Sequence, residues 1–173
     1  GVPVAVTPLA AEDVPLLARA VDLLIVTPEE VSNRGLVQFC SYVERPVVLS
    51  RGTSSLADEW LQTADDLLGR GNRQLILAAG GIRTFETATA RTFDLSMIPL
   101  VKRRSHLPVL ADLTGLDAPE AVLRALALAA IAGGADGVIL AVSEDDAEPN
   151  GTFGLAGLNA LLPLLRRLAN RLH

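Results

Sequence analysis

Gly137-Val-Ile-Leu-Ala-Val142 decides the fold: from its first residue to its last no side chain is polar, and Gly133-Gly134 stand just ahead of it. A strand with one face in water alternates polar and apolar residues. A strand covered by helices on both faces does not, and this run reads as the second kind. Working outward, Pro119 to Ala132 is an apolar helix closed by the glycine pair. Beyond the run, a loop rich in Glu, Asp, Pro and Gly leads to a last helix over residues 155–172. The same alternation continues upstream. Strands are expected at 2–7, 22–26, 47–49, 74–78 and 109–111, with helices over 11–20, 35–42, the stretch carrying Leu56, Trp60, Leu61, Ala64, Leu67 and Leu68, and 96–102. Leu36, Phe39 and Cys40 share a helical face, Ser54 or Ser55 can cap the helix of Trp60, and Gly69 to Gly71 close it. The segment from Gly80 to Asp94 reads as a polar connection. Six strands alternating with helices mean parallel βαβ units with right-handed crossovers. An open doubly wound sheet and a partial (β/α) barrel satisfy this pattern equally.

Composition narrows the function classes. The 173 residues suit one domain with a sizeable core, 50% of them hydrophobic but only 3% aromatic, so the core is aliphatic. Fifteen Lys and Arg against twenty Asp and Glu give a net charge of −5, which argues against a nucleic-acid or anionic-membrane surface. The most apolar stretch, Ala125 to Ala135, falls short of the ~20 residues that span a bilayer, and no export signal is visible. The one cysteine, Cys40, forms no disulfide within the chain and suits a reducing cytoplasm. The chain opens on Gly1 rather than a methionine, which reads as a processed or trimmed product.

Three stretches resemble the class I 3-deoxy-7-phosphoheptulonate (DAHP) synthases. Pro46-Val-Val-Leu-Ser-Arg-Gly52 with Glu59-Trp60-Leu61 is similar to that family's P-V-L-L-K-R-G … E-W-L. Gly81-Ile-Arg-Thr-Phe-Glu-Thr-Ala-Thr89, then Asp94-Leu-Ser96 and Pro99-Leu100, matches its G-I-R-T-F-E-T-A-T … D-L-S … P-L. Ser105-His-Leu-Pro-Val109 and Gly133-Gly-Ala-Asp-Gly137 follow in order. The resemblance implies a (β/α)8 barrel, here a partial or remodelled one forming a single domain over 1–173. Its first family strands, with G-P-C-S and K-P-R-T, have no counterpart in this sequence. It also implies the family reaction, condensation of phosphoenolpyruvate with erythrose 4-phosphate on the shikimate route. The family's cofactor is a divalent metal such as Mn²⁺, held by Cys, His, Glu and Asp.

At the positions that carry this chemistry the sequence departs from the pattern. The Glu of the third family strand falls on Thr7, and the I-G-A-R-N loop becomes Val26-Thr-Pro-Glu-Glu30, with Glu29 where a phosphate-binding Arg is implied. The Lys of L-K-R-G is Ser50, and the E-R of E-R-G is Ala79-Gly80. The implied metal ligands fall on Gly115, Ala141 and Asn150, and the His after the second of these is Ser143, although Asp112 remains. Gly52, Trp60, Phe85 and Gly137 keep the family scaffold. The expectation is therefore no catalytic residue, no metal and no cofactor.

Arg51 and Arg83 stay as a candidate remnant anion site, against a structural reading in which Arg83 pairs with Glu86. His106 reads as a turn residue, His173 as a frayed terminus and Cys40 as core. Glu144, Asp145, Asp146 and Glu148 read as a solvated acidic loop, and Lys102 to Arg104 as a basic helix end. Sheet edges and the leucines of the last helix (Leu155, Leu158, Leu161, Leu162, Leu165, Leu168, Leu172) point to a homodimer or an assembly with a related enzyme. The leading function is a non-catalytic scaffold or regulatory partner in the shikimate route. The alternatives are a transferase whose missing groups come from another chain or segment, and a binding module for a small metabolite.

Overall fold

A computed structural model of the chain describes residues 1–144 and 150–172. Six parallel strands alternate with helices along the chain, which falls into two compact units. The first unit is 1–78 with 105–108; the second is 79–104 with 109 onward.

In the first unit β1 (Ala5–Val6) pairs with β2 (Leu23–Val26) through Ala5 opposite Leu23. The strand expected over 2–7 is cut to two residues. Between β1 and β2 a 3₁₀ turn (Ala11–Asp13) leads into α1 (Val14–Ala20), with Pro15 in the first turn, where its missing N–H costs nothing. After β2, a second 3₁₀ turn (Glu30–Ser32) precedes α2 (Arg34–Cys40), capped by Asn33, whose Oδ1 accepts from Leu36 N at 3.1 Å. Leu36 and Cys40 are buried, whereas Phe39, expected on the same face, is exposed.

Strand β3 (Val47–Ser50) is buried along its whole length and lies in parallel register with β2 and with β4 (Leu75–Ala79), Val47 facing Leu75. Helix α3 (Ala57–Arg70) joins them, burying Trp60, Ala64 and Leu67. The indole Nε1–H of Trp60 donates to Leu49 O at 3.2 Å and fixes the helix over its strand. Neither serine caps α3. Leu56 is the cap residue, and its N–H donates to the Glu59 carboxylate at 2.9 Å. The helix stops at Gly71, whose φ of 125° is in the left-handed range open to glycine. The next residue, Asn72, 3% exposed, ties three segments together. Its Nδ2 donates to Cys40 O and Arg45 O, both at 3.0 Å, and its Oδ1 accepts from Gln74 N at 2.9 Å.

The second unit holds a feature absent from the sequence reading. Within the polar connection, β5 (Gly81–Ile82) and β6 (Thr92–Phe93) form an antiparallel pair. Helix α4 (Met97–Arg104) follows, then β7 (Val109–Asp112) and α5 (Glu120–Ala132). Strand β8 (Gly137–Ile139) pairs in parallel with β7, Ala111 facing Val138. The expected strand to Val142 is interrupted after Ile139. Its last residues form β9 (Val142–Ser143), which pairs with β10 (Phe153–Gly154) ahead of α6 (Leu155–Leu172). The pairing seats Phe153 in the core, its N–H donating to Ala141 O at 2.9 Å. Asp136 clamps the start of β7, accepting from Val109 N at 2.7 Å and from Lys102 Nζ at 2.8 Å. Helix α6 buries Leu161 and Leu165, i and i+4, and leaves Leu155, Leu162, Leu164 and Leu172 exposed.

Candidate functional site

In parallel α/β folds chemistry sits at the C-terminal strand ends, where loops converge. In the first unit these ends carry Thr7, the 26–30 loop and Ser50 to Gly52. Ser50 is buried at the end of β3. Arg51 is 8% exposed; its N–H donates to Ala78 O at 2.9 Å and its Nε to Ser55 O at 3.1 Å. Its guanidinium is thereby engaged in holding the loop before α3. In the 26–30 loop, Glu29 is exposed, while Glu30 Oε2 is buried with no hydrogen-bond partner. A buried carboxylate oxygen without a donor is costly to the fold, and with Glu29 it leaves this loop carrying acids where the resemblance implies a cation.

The second unit places Gly80, Arg83, Asp112, Gly115, Ala141, Ser143 and Asn150 on its strand-end segments. Asp112 is 8% exposed, and its Oδ1 accepts from Thr114 N at 3.0 Å and Thr114 Oγ1 at 2.6 Å. Arg83 and Asn150 are exposed. The expected Arg83–Glu86 pair does not form; the Glu86 carboxylate accepts from Thr87 N and Ala88 N, both at 2.7 Å. Those backbone donors, Ala88 first, hold the Glu86 pKa below its ordinary value. Phe85, read as scaffold, is 99% exposed. Arg51 belongs to the first unit and Arg83 to the second, so each is read in its own surroundings.

The second unit also tests the divalent ion that the resemblance implies. Gly115 has φ 68°, a conformation that strains any L side chain, and a Cβ built there would meet Arg91 Nη1 at 3.5 Å. Ala141 has no donor atom, and Asn150 offers an exposed amide in place of a carboxylate. Among the described residues no group of three or more His, Cys, Asp or Glu side chains could hold a metal ion. This donor set does not fit a divalent cation, which needs several oxygen, nitrogen or sulfur ligands.

The remaining candidates lie elsewhere. Cys40 is buried in α2, and burial pushes its thiol pKa up to about 11, which leaves it un-ionised and unreactive near neutral pH. His106 is exposed in the turn before β7. Asp145, Asp146, Glu148 and His173 lie outside the described residues. Two grooves occur on helices rather than at strand ends. One, of about 550 Å³, runs between α2 and α3 with Val37, Gln38, Glu59 and Asp66 among its walls; the other, of about 310 Å³, is walled by Leu128, Leu164, Arg167, Leu168 and Arg171. Sequence reasoning missed Arg91 and the buried oxygen of Glu30. The one available signal was that Arg91 is the sole basic residue between Arg83 and Lys102.

Comparison with known proteins agrees with the strand and helix order. The model of the DAHP synthetase I family matches residues 1–156. A phospho-2-dehydro-3-deoxyheptonate aldolase of Thermotoga maritima is 35% identical over 134 residues, 78% of this chain and 40% of that protein. The chain thus spans less than half the length of this curated relative. A truncated 3-deoxy-D-arabino-heptulosonate 7-phosphate synthase from Thermotoga maritima superimposes with a TM-score of 0.93 at 30% identity, over 99% of this chain and 67% of that one. A crystal structure of phospho-2-dehydro-3-deoxyheptonate aldolase (DAHP synthase) from the same organism gives 0.91 at 32% identity, over 99% of this chain and 52% of that one. The fold is a partial (β/α) barrel. The superposition on these synthase structures chooses between the two architectures that the sequence pattern left open.

Proposed function

The chain belongs to the DAHP synthetase I family, and from that premise we propose that it is a non-catalytic relative of the synthase, acting as a scaffold or regulatory partner of an active synthase or another shikimate-route enzyme. One observation carries this reading. The three positions where the family resemblance implies metal ligands hold Gly115, Ala141 and Asn150, and the first of them is in a left-handed conformation. A reaction that depends on a bound cation to polarise an aldehyde finds no imidazole, thiolate or carboxylate at these three positions to hold that cation. The carboxylates of Glu29 and Glu30 in the loop implied to bind phosphate work in the same direction. Replacing a cation by a carboxylate at a phosphate subsite turns ~1.5–3 kcal/mol of attraction per contact into repulsion.

The partner is a second copy or a related enzyme. The exposed leucines of α6 support this, since such a helix gains by burying more than one side. The site of action is the cytoplasm, where the single thiol stays reduced. No helix among the described residues is long and apolar enough to cross a membrane.

The test mixes the purified chain with phosphoenolpyruvate, erythrose 4-phosphate and Mn²⁺ and follows phosphoenolpyruvate consumption. The expected result is no turnover, together with co-purification of a synthase and a mass above the monomer by light scattering. Metal-dependent turnover would replace this reading with that of a transferase.

A further inference from the structure

The β5–β6 pair sets Gly81 opposite Phe93 and Ile82 opposite Thr92, and the stem of Arg91, just ahead of β6, packs against Gly81. A Cβ at Gly81 would lie 2.6 Å from Leu116 Cδ2, 2.8 Å from Arg91 Cβ and 3.5 Å from Arg91 Cδ, so glycine leaves room for both the leucine and the arginine stem. At its other end the side chain meets a second glycine. A Cβ at Gly115 would lie 3.5 Å from Nη1 and 3.8 Å from Cζ. Arg91 therefore runs from one glycine to the other, stem on Gly81 and guanidinium on Gly115. An arginine stem packs as an apolar group while its planar head keeps its charge at any working pH.

Asp112 flanks neighbouring residues of the same two segments. Its Oδ2 lies 3.9 Å from a Cβ built at Gly80, and its Oδ1 is held by Thr114. A buried carboxylate needs positive charge nearby, and in a metal site the ion supplies it. We propose that the Arg91 guanidinium is a resident cation that stands in for the family's divalent ion: it covers the backbone position from which a metal-ligating imidazole would project and makes the strand ends of this unit independent of metal. This rests on the reading that the metal site is lost, and adds the residue that replaced it.

The experiment has two arms. In the first, Mn²⁺ is titrated into the wild-type chain and free ion is read by electron paramagnetic resonance; the expected result is that all of it stays free. Stoichiometric uptake overturns both the lost-site reading and this proposal. In the second, Arg91→Lys and Arg91→Met are melted at low ionic strength. Both keep a long apolar stem, but only lysine keeps the charge. The methionine variant is expected to melt about 2–4 °C or more below the lysine variant, with the gap narrowing in high salt. Equal melting temperatures, or a more stable methionine variant, overturn the role of Arg91 while leaving the lost-site reading standing. If neither variant folds, the wild-type Arg91 Nε–H signal in NMR decides. Protection from exchange supports the held guanidinium, and a solvent-averaged signal overturns it.

Discussion

Asn72 offers the sharpest perturbation of the first unit, because its three hydrogen bonds join segments far apart in sequence. The Asn72→Ala variant removes two donors and one acceptor at once, leaving Cys40 O, Arg45 O and Gln74 N without their partner. At about 0.5–1.5 kcal/mol net per bond, and with the residue 3% exposed so that water does not readily take over, the loss is about 2–4 kcal/mol. For a chain of this size that lowers the melting temperature by roughly 5–15 °C. Asn72→Asp separates geometry from charge. An aspartate has acceptors only, and they would face two carbonyl oxygens. Burial and those carbonyls raise its folded pKa above the ~3.9 of an exposed aspartate. Below the unfolded pKa both states are protonated. As pH rises through it, the unfolded chain releases its proton while the folded chain retains it, so stability falls until the folded pKa is passed. The aspartate variant is therefore closest to Asn72→Ala near pH 4 and clearly weaker at pH 7. Urea unfolding followed by the fluorescence of Trp60, the only tryptophan and a buried one, measures both. An alanine variant within about 0.5 kcal/mol of wild type, or an aspartate variant insensitive to pH between 4 and 7, would refute the reasoning.

Other outcomes follow from single side chains. Asp136→Ala loses both the Lys102 pair and the bond from Val109 N, and should cost about 1–2 kcal/mol in urea unfolding. Lys102→Met loses only the ion pair, about one-third exposed on each side, and should cost below ~1 kcal/mol; equal costs would show that the Val109 bond contributes nothing. Cys40, its thiol pKa raised to about 11 by burial, should react with a disulfide reagent at pH 8 orders of magnitude more slowly in the native chain than in urea. Comparable rates would contradict its placement in the core. Gly115→His restores an imidazole on a residue with φ 68° and should cost about 1–3 kcal/mol without bringing Mn²⁺ uptake; tight uptake read by paramagnetic resonance would sink the account of that position.

Much of the fold was legible because its signals are local. Unbroken apolar runs marked β3 and β4 within a residue and the start of β8, and glycine at 71 and the pair at 133–134 marked helix ends. Helix α6 was legible to its ends from leucine spacing. The misses have a common cause. Two-residue strands such as β1, β5 and β6 carry too few side chains to show a period and exist only through their partners. Phe39 and Phe85 are apolar in type yet exposed, since residue type records what burial would gain and not whether a neighbour is there to supply it. Leu56 took the cap of α3 from two serines because Glu59 reached back to its N–H, a bond that propensity does not rank.

At the strand ends the division is the same. Residue types alone determined that Gly115 and Ala141 offer a cation no side-chain ligand and that Asn150 offers only a neutral amide, because the presence of a donor atom is a chemical fact independent of geometry. The tertiary structure decided the surroundings of the candidate residues, each in its own unit: Arg91 lying across Gly81 and Gly115, Asp112 held by Thr114, and Glu30 with an oxygen buried and unpaired. Which side chain fills a space depends on backbone angles and on segments tens of residues apart. Neither is written in the local pattern of the chain.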